Sequence, residues 1–170
     1  MKMKLIHGIL FLSFFCNFIQ VKSQTIIDLN DVSFEVKSSS VENLKLLIND
    51  VHPSIYFVNQ EQNIVEEKNP TKIVADGSLL NKVASATFNK NGVQLIEVRI
   101  NKEEDINVKI DLNSFEKQFI GLKYITFIFT QDVCIENYQK KGCIEKKIEE
   151  TLENYPNNNI QIAYLLSVND

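Results

Sequence analysis

Histidine, tryptophan, arginine and glycine are all scarce in this chain of 170 residues. It contains two histidines, no tryptophan and five glycines, and Arg99 is its sole arginine. Neither the Gly-x-Ser-x-Gly sequence that holds a serine nucleophile nor a glycine-rich phosphate loop occurs in it. We therefore predict no cofactor and no serine-hydrolase site.

Metal ligands are equally few. His52 stands alone before Pro53, and one cysteine pair with one histidine cannot fill the four positions of a zinc site. An EF-hand loop starting at Asp28 needs glycine at its sixth position and glutamate at its twelfth, but Ser33 and Ser39 stand there. We interpret His52 as a turn residue and predict no metal site.

The N-terminus has the three parts of a secretory signal peptide. Lys2 and Lys4 supply the positive charge, residues 5–19 form an apolar segment, and Val21-Lys22-Ser23 offers a small residue for cleavage. The apolar segment is shorter than the roughly 20 residues that a membrane-spanning helix needs. We predict that residues 1–23 are cleaved off, that Gln24 begins the mature chain, and that the protein is secreted or periplasmic with no transmembrane segment.

Two other fates of this leader were considered. It could stay attached as an N-terminal anchor, or Cys16 could be lipid-modified after cleavage in front of it. Phe14-Phe15 stands directly before Cys16, whereas bacterial lipoprotein signals place small residues there. Cleavage after Ser23 is the better interpretation.

The mature chain is acidic. The leader removes three lysines and no acid, so 15 basic and 22 acidic residues remain, a net charge of minus seven. Nucleic acids and anionic membranes bind cationic surfaces, so we predict neither as a partner. A basic protein partner is compatible with this charge.

Cys134 and Cys143 remain after cleavage of the leader. In an oxidising compartment a pair this close is predicted to form a disulfide. Redox-active pairs are usually two residues apart, whereas eight residues separate these two, so we interpret the bridge as structural. Closing a loop of about ten residues contributes about 2.5–3 kcal/mol of stability.

Residues 24–170 contain no low-complexity tract or linker and are predicted to form a single exported domain. Segments rich in Val, Ile, Tyr and Phe predict strands at residues 32–36, 54–58, 72–75, 93–100, 107–112, 123–129 and 160–168. Apolar stripes and capping residues predict three helices at 41–50, started by Ser39 and Glu42, at 115–120, capped by Asn113 or Ser114, and at 143–154. Residues 79–86 fit either type.

Helices that alternate with strands predict crossover connections and hence parallel strands. We expect a mixed, mainly parallel β-sheet with three short helices packed against it, in one α/β domain. Asn89-Lys-Asn-Gly92 predicts an antiparallel hairpin between residues 84–88 and 93–100. The rhythm of residues 122–129 is similar to that of leucine-rich repeats, so a short irregular solenoid is an alternative fold.

Carboxylates are the remaining candidates for catalysis, because a glycosidase needs only two acids that meet in space. The densest cluster, Glu103-Glu104-Asp105, lies between two predicted strands and is interpreted as a solvated turn. Glu66-Glu67 is interpreted likewise, and so is Lys140-Lys141-Gly142 inside the cysteine loop.

Three functions follow from these observations. The first is a non-catalytic exported binding protein, for example an inhibitor or immunity-type protein that neutralises a basic partner. The second is a secreted hydrolase that uses paired carboxylates. The third is an envelope assembly component that pairs through an exposed sheet edge.

Overall fold

The computed structural model describes residues 25–31, 39–59, 61–63, 69–134, 140–156 and 159–167. The leader and the predicted strand at 32–36 lie outside these residues. The described strands are β1 (Ile27–Asp28), β2 (Ser54–Val58), β3 (Glu61–Asn63), β4 (Lys72–Asp76), β5 (Leu95–Ile100), β6 (Ile110–Asp111), β7 (Tyr124–Phe129), β8 (Leu152–Glu153) and β9 (Gln161–Leu166). The described helices are α1 (Ser39–Asn49), α2 (Leu80–Ser85), α3 (Glu103–Ile106), α4 (Leu112–Gln118) and α5 (Lys140–Thr151), and a 3-10 turn (Gly77–Leu79) precedes α2.

One large sheet organises the fold. Among the described residues it contains seven strands in the order β1-β9-β7-β5-β4-β2-β3, and β6 pairs with β8 separately. Every neighbouring pair in the large sheet is parallel except β2 and β3. The predicted mixed, mainly parallel sheet is therefore confirmed, and the described residues do not form a solenoid.

The direction of the chain explains where the helices lie. From β2 it steps to β4, β5, β7 and β9 in one direction across the sheet, whereas the step from β1 to β2 runs the other way. Right-handed crossovers place connections of opposite direction on opposite faces of a parallel sheet. Helices α2 to α5 accordingly share the core of one face, which we name the helix-rich face. Helix α1 packs on the other, which we name the single-helix face.

The helix-rich face holds the larger core. Alternate strand residues, such as Val98 of β5 and Phe127 of β7, are fully buried in the same apolar cluster as Ile144 and Ile148 of α5. Burial of a Val, Ile or Phe side chain contributes about 1.5–3 kcal/mol each. This core is what holds α2 to α5 in place at the ends of their strands.

The single-helix face combines a smaller apolar core with an ion network. Leu44 of α1 is fully buried in the cluster that also contains Leu95 and Tyr124. Beside it, Lys72 Nζ lies 2.8 Å from Glu97 Oε2 and 3.2 Å from the Ile48 carbonyl oxygen. Since helix C-terminal carbonyls lack partners inside their own helix, Lys72 both satisfies α1 and neutralises Glu97.

The strand and helix predictions were right for the long apolar segments and wrong at several short ones. The hairpin at Asn89-Lys-Asn-Gly92 is wrong, because residues 80–85 form α2 and carry the chain across to β5, which runs parallel to β4. The antiparallel edge is instead β3, which pairs with β2.

The number of helices also differs. Three were predicted, and the described residues contain five, because residues 103–106 form one turn of helix and the ambiguous segment is helical. Of the predicted strand 107–112, only Ile110–Asp111 pairs. Helix α4 is capped by Asp111, whose side chain accepts from the Asn113 N–H, rather than by Asn113 or Ser114. No described helix has the length and apolarity needed to cross a membrane.

Candidate functional site

A cleft of about 550 Å³ opens at the carboxyl ends of β4 and β5. This is the edge at which open α/β sheets commonly bind ligands, because the strands end there and the loops diverge. The described lining residues come from the β2–β3 turn, from the end of β4 through α2, and from the β5–α3 connection and α3: Asn59, Asp76, Ser78, Leu79, Lys82, Asn101, Lys102 and Asp105.

Asp76, the last residue of β4, forms one wall of the cleft and is only 8% exposed. Its Oδ2 accepts from the backbone N–H of Asn59 at 2.9 Å, and its Oδ1 accepts from Asn101 Nδ2 at 2.8 Å. A carboxylate has about four acceptor positions, so roughly two remain for a ligand.

Asp105 of α3 is fully buried and accepts four hydrogen bonds. Its Oδ1 accepts from Ser78 Oγ at 2.7 Å and the Ser78 N–H at 3.2 Å. Its Oδ2 accepts from the N–H groups of Asn101 at 3.0 Å and Lys102 at 3.2 Å. These donors use its acceptor capacity, so Asp105 fixes the two loops to each other. Gly77 permits this approach, because a Cβ there would overlap the Asp105 carbonyl oxygen.

Two lysines complete the charged lining of the cleft. Lys82 and Lys102 are both exposed, and within the described part of the chain neither forms an ion pair. No cluster of His, Cys, Asp and Glu suited to a metal ion occurs in the described ranges. The described lining of the cleft therefore offers one carboxylate with free acceptor positions and two ammonium groups without an ion-pair partner.

The predicted disulfide is present. Cys134 and Cys143 are bonded, with their Cα atoms 6.2 Å apart, and Cys134 is buried in the core of the helix-rich face. The bridge ties the segment after β7 to α5 and lies outside the described lining of the cleft.

The other residues singled out in the sequence lie apart from the cleft, with one exception. His52 Nε2 lies 3.3 Å from the Leu46 carbonyl oxygen at the end of α1. Glu103 and Glu104 are exposed as expected of a solvated turn, but their neighbour Asp105 is buried and holds the cleft together.

Three further interpretations have different outcomes. The run Lys140-Lys141-Gly142 begins α5 instead of forming a turn. Glu66-Glu67 lies outside the described residues. Asp28 Oδ1 accepts from the Asn30 N–H at 2.9 Å. The acidic segment that starts at Asp28, which does not match an EF-hand loop, therefore forms a local turn.

A second feature lies near α5 and the β1–β9 edge of the sheet. Tyr155 is half-buried against the core, and burial together with the negative charges of Glu149 and Glu145 raises the pKa of its hydroxyl. The negative field reaches Tyr155 from two side chains that are one turn apart on α5.

Tyr164 of β9 lies in the same negative field. It is fully buried, and its hydroxyl donates to Asp28 Oδ2 at 2.8 Å. Burial, the hydrogen bond from Tyr164 to Asp28 and the charges of Asp28, Glu145 and Asp31 all raise the pKa of this hydroxyl. We name the four carboxylates around these two tyrosines the acidic surface: Asp28, Asp31, Glu145 and Glu149.

Asp76 and Asn101 were not among the predicted site residues, although the sequence contains a signal for them. Each directly follows a predicted strand, at 72–75 and at 93–100. Carboxyl ends of adjacent parallel strands meet at one edge, so polar residues at these two positions indicated a site once the strands were known to be neighbours. The false hairpin hid this relation.

Comparisons with known proteins do not point to a function, so the cleft and the acidic surface are the basis on which one can be proposed. Neither a protein-family model, nor a curated protein, nor a solved structure matches the chain.

Proposed function

We propose that this chain is an exported, non-catalytic protein that binds a basic protein partner through the acidic surface, in the manner of an inhibitor or an immunity protein. The observation that carries the proposal is the placement of four carboxylates around Tyr155 and Tyr164, whose negative charges add to burial in raising the pKa of both hydroxyls. Complementary charge speeds encounter and selects partners.

Two of these carboxylates, Glu145 and Glu149, form no ion pair within the described residues of α5. Lys146 is the lysine of α5 that forms an ion pair within the described residues, and its partner is Glu150 at 3.9 Å. Both side chains are largely exposed, and such pairs contribute little. Glu145 and Glu149 lie on the same helix without an ion-pair partner in the described ranges. The half-buried ring of Tyr155 beside them supplies the aromatic contact that protein interfaces favour.

The cleft supports binding in preference to hydrolysis. A glycosidase needs two carboxyl groups that can act on substrate. Asp76 and Asp105 both line the cleft, but Asp105 already accepts four hydrogen bonds. Among the described lining residues, this leaves one carboxylate to contact a substrate.

Export supports the same proposal, because the Cys134–Cys143 disulfide belongs in an oxidising compartment. The intact mass of the protein recovered from its host tests this. We expect the mass of residues 24–170 less two hydrogens. Recovery of the full-length chain inside cells with both thiols free would contradict export.

Affinity capture tests the partner. The wild-type protein and a Glu145→Gln/Glu149→Gln variant are used as bait in extracts of the native envelope, and bound proteins are identified by mass spectrometry. We expect a basic protein with the wild type, less of it with the variant, and less of it as salt rises, because screening weakens exposed charge pairs.

A matched control separates local charge from net charge. Glu103→Gln/Glu104→Gln removes the same charge from exposed positions on α3 and should leave the capture unchanged. Equal losses in both variants, or capture of no basic protein by the wild type, would contradict the proposed use of the acidic surface.

A further inference from the structure

Independently of the acidic surface, we propose that the cleft at the carboxyl ends of β4 and β5 binds a small zwitterion, an amino acid or a short peptide with free ends. Asp76 receives the ammonium group of the ligand, and Lys82 and Lys102 receive its carboxylate. This site and its ligand class go beyond the binding of a basic protein.

Asp76 is the group that requires a cation. Buried charges in proteins are normally paired, because an isolated charge is costly to remove from water. Asp76 is 8% exposed and forms no ion pair within the described residues. Two neutral donors, the Asn59 N–H and Asn101 Nδ2, orient it, which leaves its remaining acceptor positions directed to the cleft that it lines.

The nearest cationic strand neighbour does not supply that charge. Arg99 is the register partner of Asp76 on β5, but its Nε donates to Glu97 Oε1 at 3.2 Å. A metal ion is a poor candidate, since Asp105 is saturated and no metal-binding cluster is found in the described ranges. An organic ammonium, which needs only hydrogen-bond acceptors, fits Asp76.

Two exposed lysines of the cleft bind the opposite end of the ligand. Lys82 and Lys102 line the same cleft and are exposed, and each presents three donors on a flexible stem. Together they attract a carboxylate, while a purely cationic ligand would be repelled by them. The cleft volume of about 550 Å³ lies within the range of about 300–1,000 Å³ typical of small-molecule sites and accommodates a short peptide.

Tri-alanine is a suitable probe, because at neutral pH it carries one ammonium and one carboxylate and its side chains are small. It is titrated into the purified isotope-labelled protein, obtained from the full-length coding sequence, and amide shifts are followed by NMR. We expect shifts confined to the loops after β2, β4 and β5. N-acetyl-tri-alanine and tri-alanine amide each remove one charge and should bind at least tenfold more weakly, since each leaves its protein partner without a counter-ion.

Substitutions assign the two ends. Lys82→Gln/Lys102→Gln should weaken tri-alanine binding about tenfold, since two ion pairs are lost, and should affect tri-alanine amide little. Lys45→Gln/Lys117→Gln, at exposed positions on α1 and α4, is the matched control and should leave the affinity unchanged. Asp76→Asn should abolish the preference for tri-alanine over its acetylated form. Because Asp76 also orients Asn59 and Asn101, the lysine variants are decisive if that protein fails to fold.

Three results would overturn the proposal. These are no shifts at millimolar tri-alanine, equal binding of all three peptides, or shifts located away from the cleft. A failure here leaves the capture experiment on the acidic surface unaffected, because the two sites share no residue.

Discussion

The two faces of the sheet are stabilised differently. The helix-rich face is covered by four helices over a continuous apolar core and is crossed by the Cys134–Cys143 bridge. The single-helix face has α1, three buried residues of which form a cluster with four buried residues of the strands, together with Lys72, Glu97 and Arg99. The difference follows from chain direction, because the helices of the β4–β5, β5–β7 and β7–β9 crossovers pack on one face and α1, between β1 and β2, packs on the other. Where no second helix is available, charged side chains occupy the strand surface.

Core truncation on the two faces should have the largest effect and should differ between them. Phe119 is fully buried on the helix-rich face, with its ring centroid 5.6 Å from that of Phe115. Phe119→Ala should lower the free energy of unfolding by about 3–5 kcal/mol. On the other face, Leu44→Ala should cost less, because it removes a smaller side chain from the smaller core. Urea denaturation measures both, and a greater loss for Leu44→Ala would reverse the proposed ranking of the two cores.

Removal of one charge from the ion network should have the next largest effect on the free energy of unfolding. Glu97→Gln leaves the Lys72 ammonium, whose side chain is 10% exposed, without its carboxylate and should cost about 3 kcal/mol. Arg99→Gln is the control, since Arg99 is 41% exposed and its loss should cost less than about 1 kcal/mol. Equal costs would mean that the network does not depend on burial. Denaturant melts at neutral pH measure the difference.

The helix-rich face has no such ion network among its described residues but is stabilised by the Cys134–Cys143 bridge. Cys134→Ser/Cys143→Ser opens a loop with a sequence separation of 9 and should lower the free energy of unfolding by about 2.5–3 kcal/mol. The wild type in reducing agent should show the same loss, and the variant should not respond to the reductant. A reductant response in the variant would show that the loss has another origin.

The loss of stability at alkaline pH should differ between two buried tyrosines, one on each face of the sheet. Burial raises the pKa of Tyr124, whose hydroxyl donates to the Ser40 carbonyl oxygen, and burial and Asp28 raise that of Tyr164. A raised folded pKa means that the unfolded chain loses its proton first, so stability is full below about pH 10 and falls as pH rises beyond it. Tyr164→Phe should reduce this fall more than Tyr124→Phe, as measured by denaturant midpoints between pH 8 and 11.

Two outcomes would contradict that ranking. One is a midpoint of the wild type that does not fall above pH 10. The other is a denaturant midpoint of Tyr164→Phe that falls with pH as steeply as that of the wild type.

The smallest effect on the free energy of unfolding is expected from a substitution of Thr126, which lies beside Glu97. Thr126 is its register partner on β7, fully buried, and its Oγ1 has no hydrogen-bond partner in the described structure. Thr126→Val keeps the shape and removes the unsatisfied hydroxyl, so the free energy of unfolding should rise by about 1 kcal/mol. A loss of stability would show that the hydroxyl takes part in the ion network. Val98→Thr, which introduces the same hydroxyl into the helix-rich face, should be destabilising.

The sequence was sufficient for features that depend on local patterns. The strands around Tyr124–Phe129 and Gln161–Leu166 and helix α1 were predicted from apolar runs and an apolar stripe, and the disulfide from cysteine spacing. Two-residue strands such as Ile110–Asp111 were not, because they are too short to show a period. Helix α3 was missed because its acidic residues are typical of a turn, and only tertiary contacts bury Asp105.

The candidate site depended on information that local patterns do not carry. Asp76 and Asn101 are 25 residues apart and meet because β4 and β5 are parallel neighbours. The same relation determines that Ser78 reaches Asp105. Strand order is a property of the whole sheet, so the cleft could not be located before that order was known.

The pairing of β1 with β9 has a consequence for when the protein can fold. Tyr164 and Asp28 are joined by a hydrogen bond over 136 positions, and Asn30 exchanges two more with Leu166. During synthesis the first strand must therefore wait, unpaired, until the last one has left the ribosome. Helix α1 waits with it, since part of the surface that it covers belongs to Ala163. A nascent chain shortened before residue 161 should consequently expose part of the apolar side of α1 to chaperones, while β2, β4 and β5 already have their sheet neighbours and β7 still lacks β9.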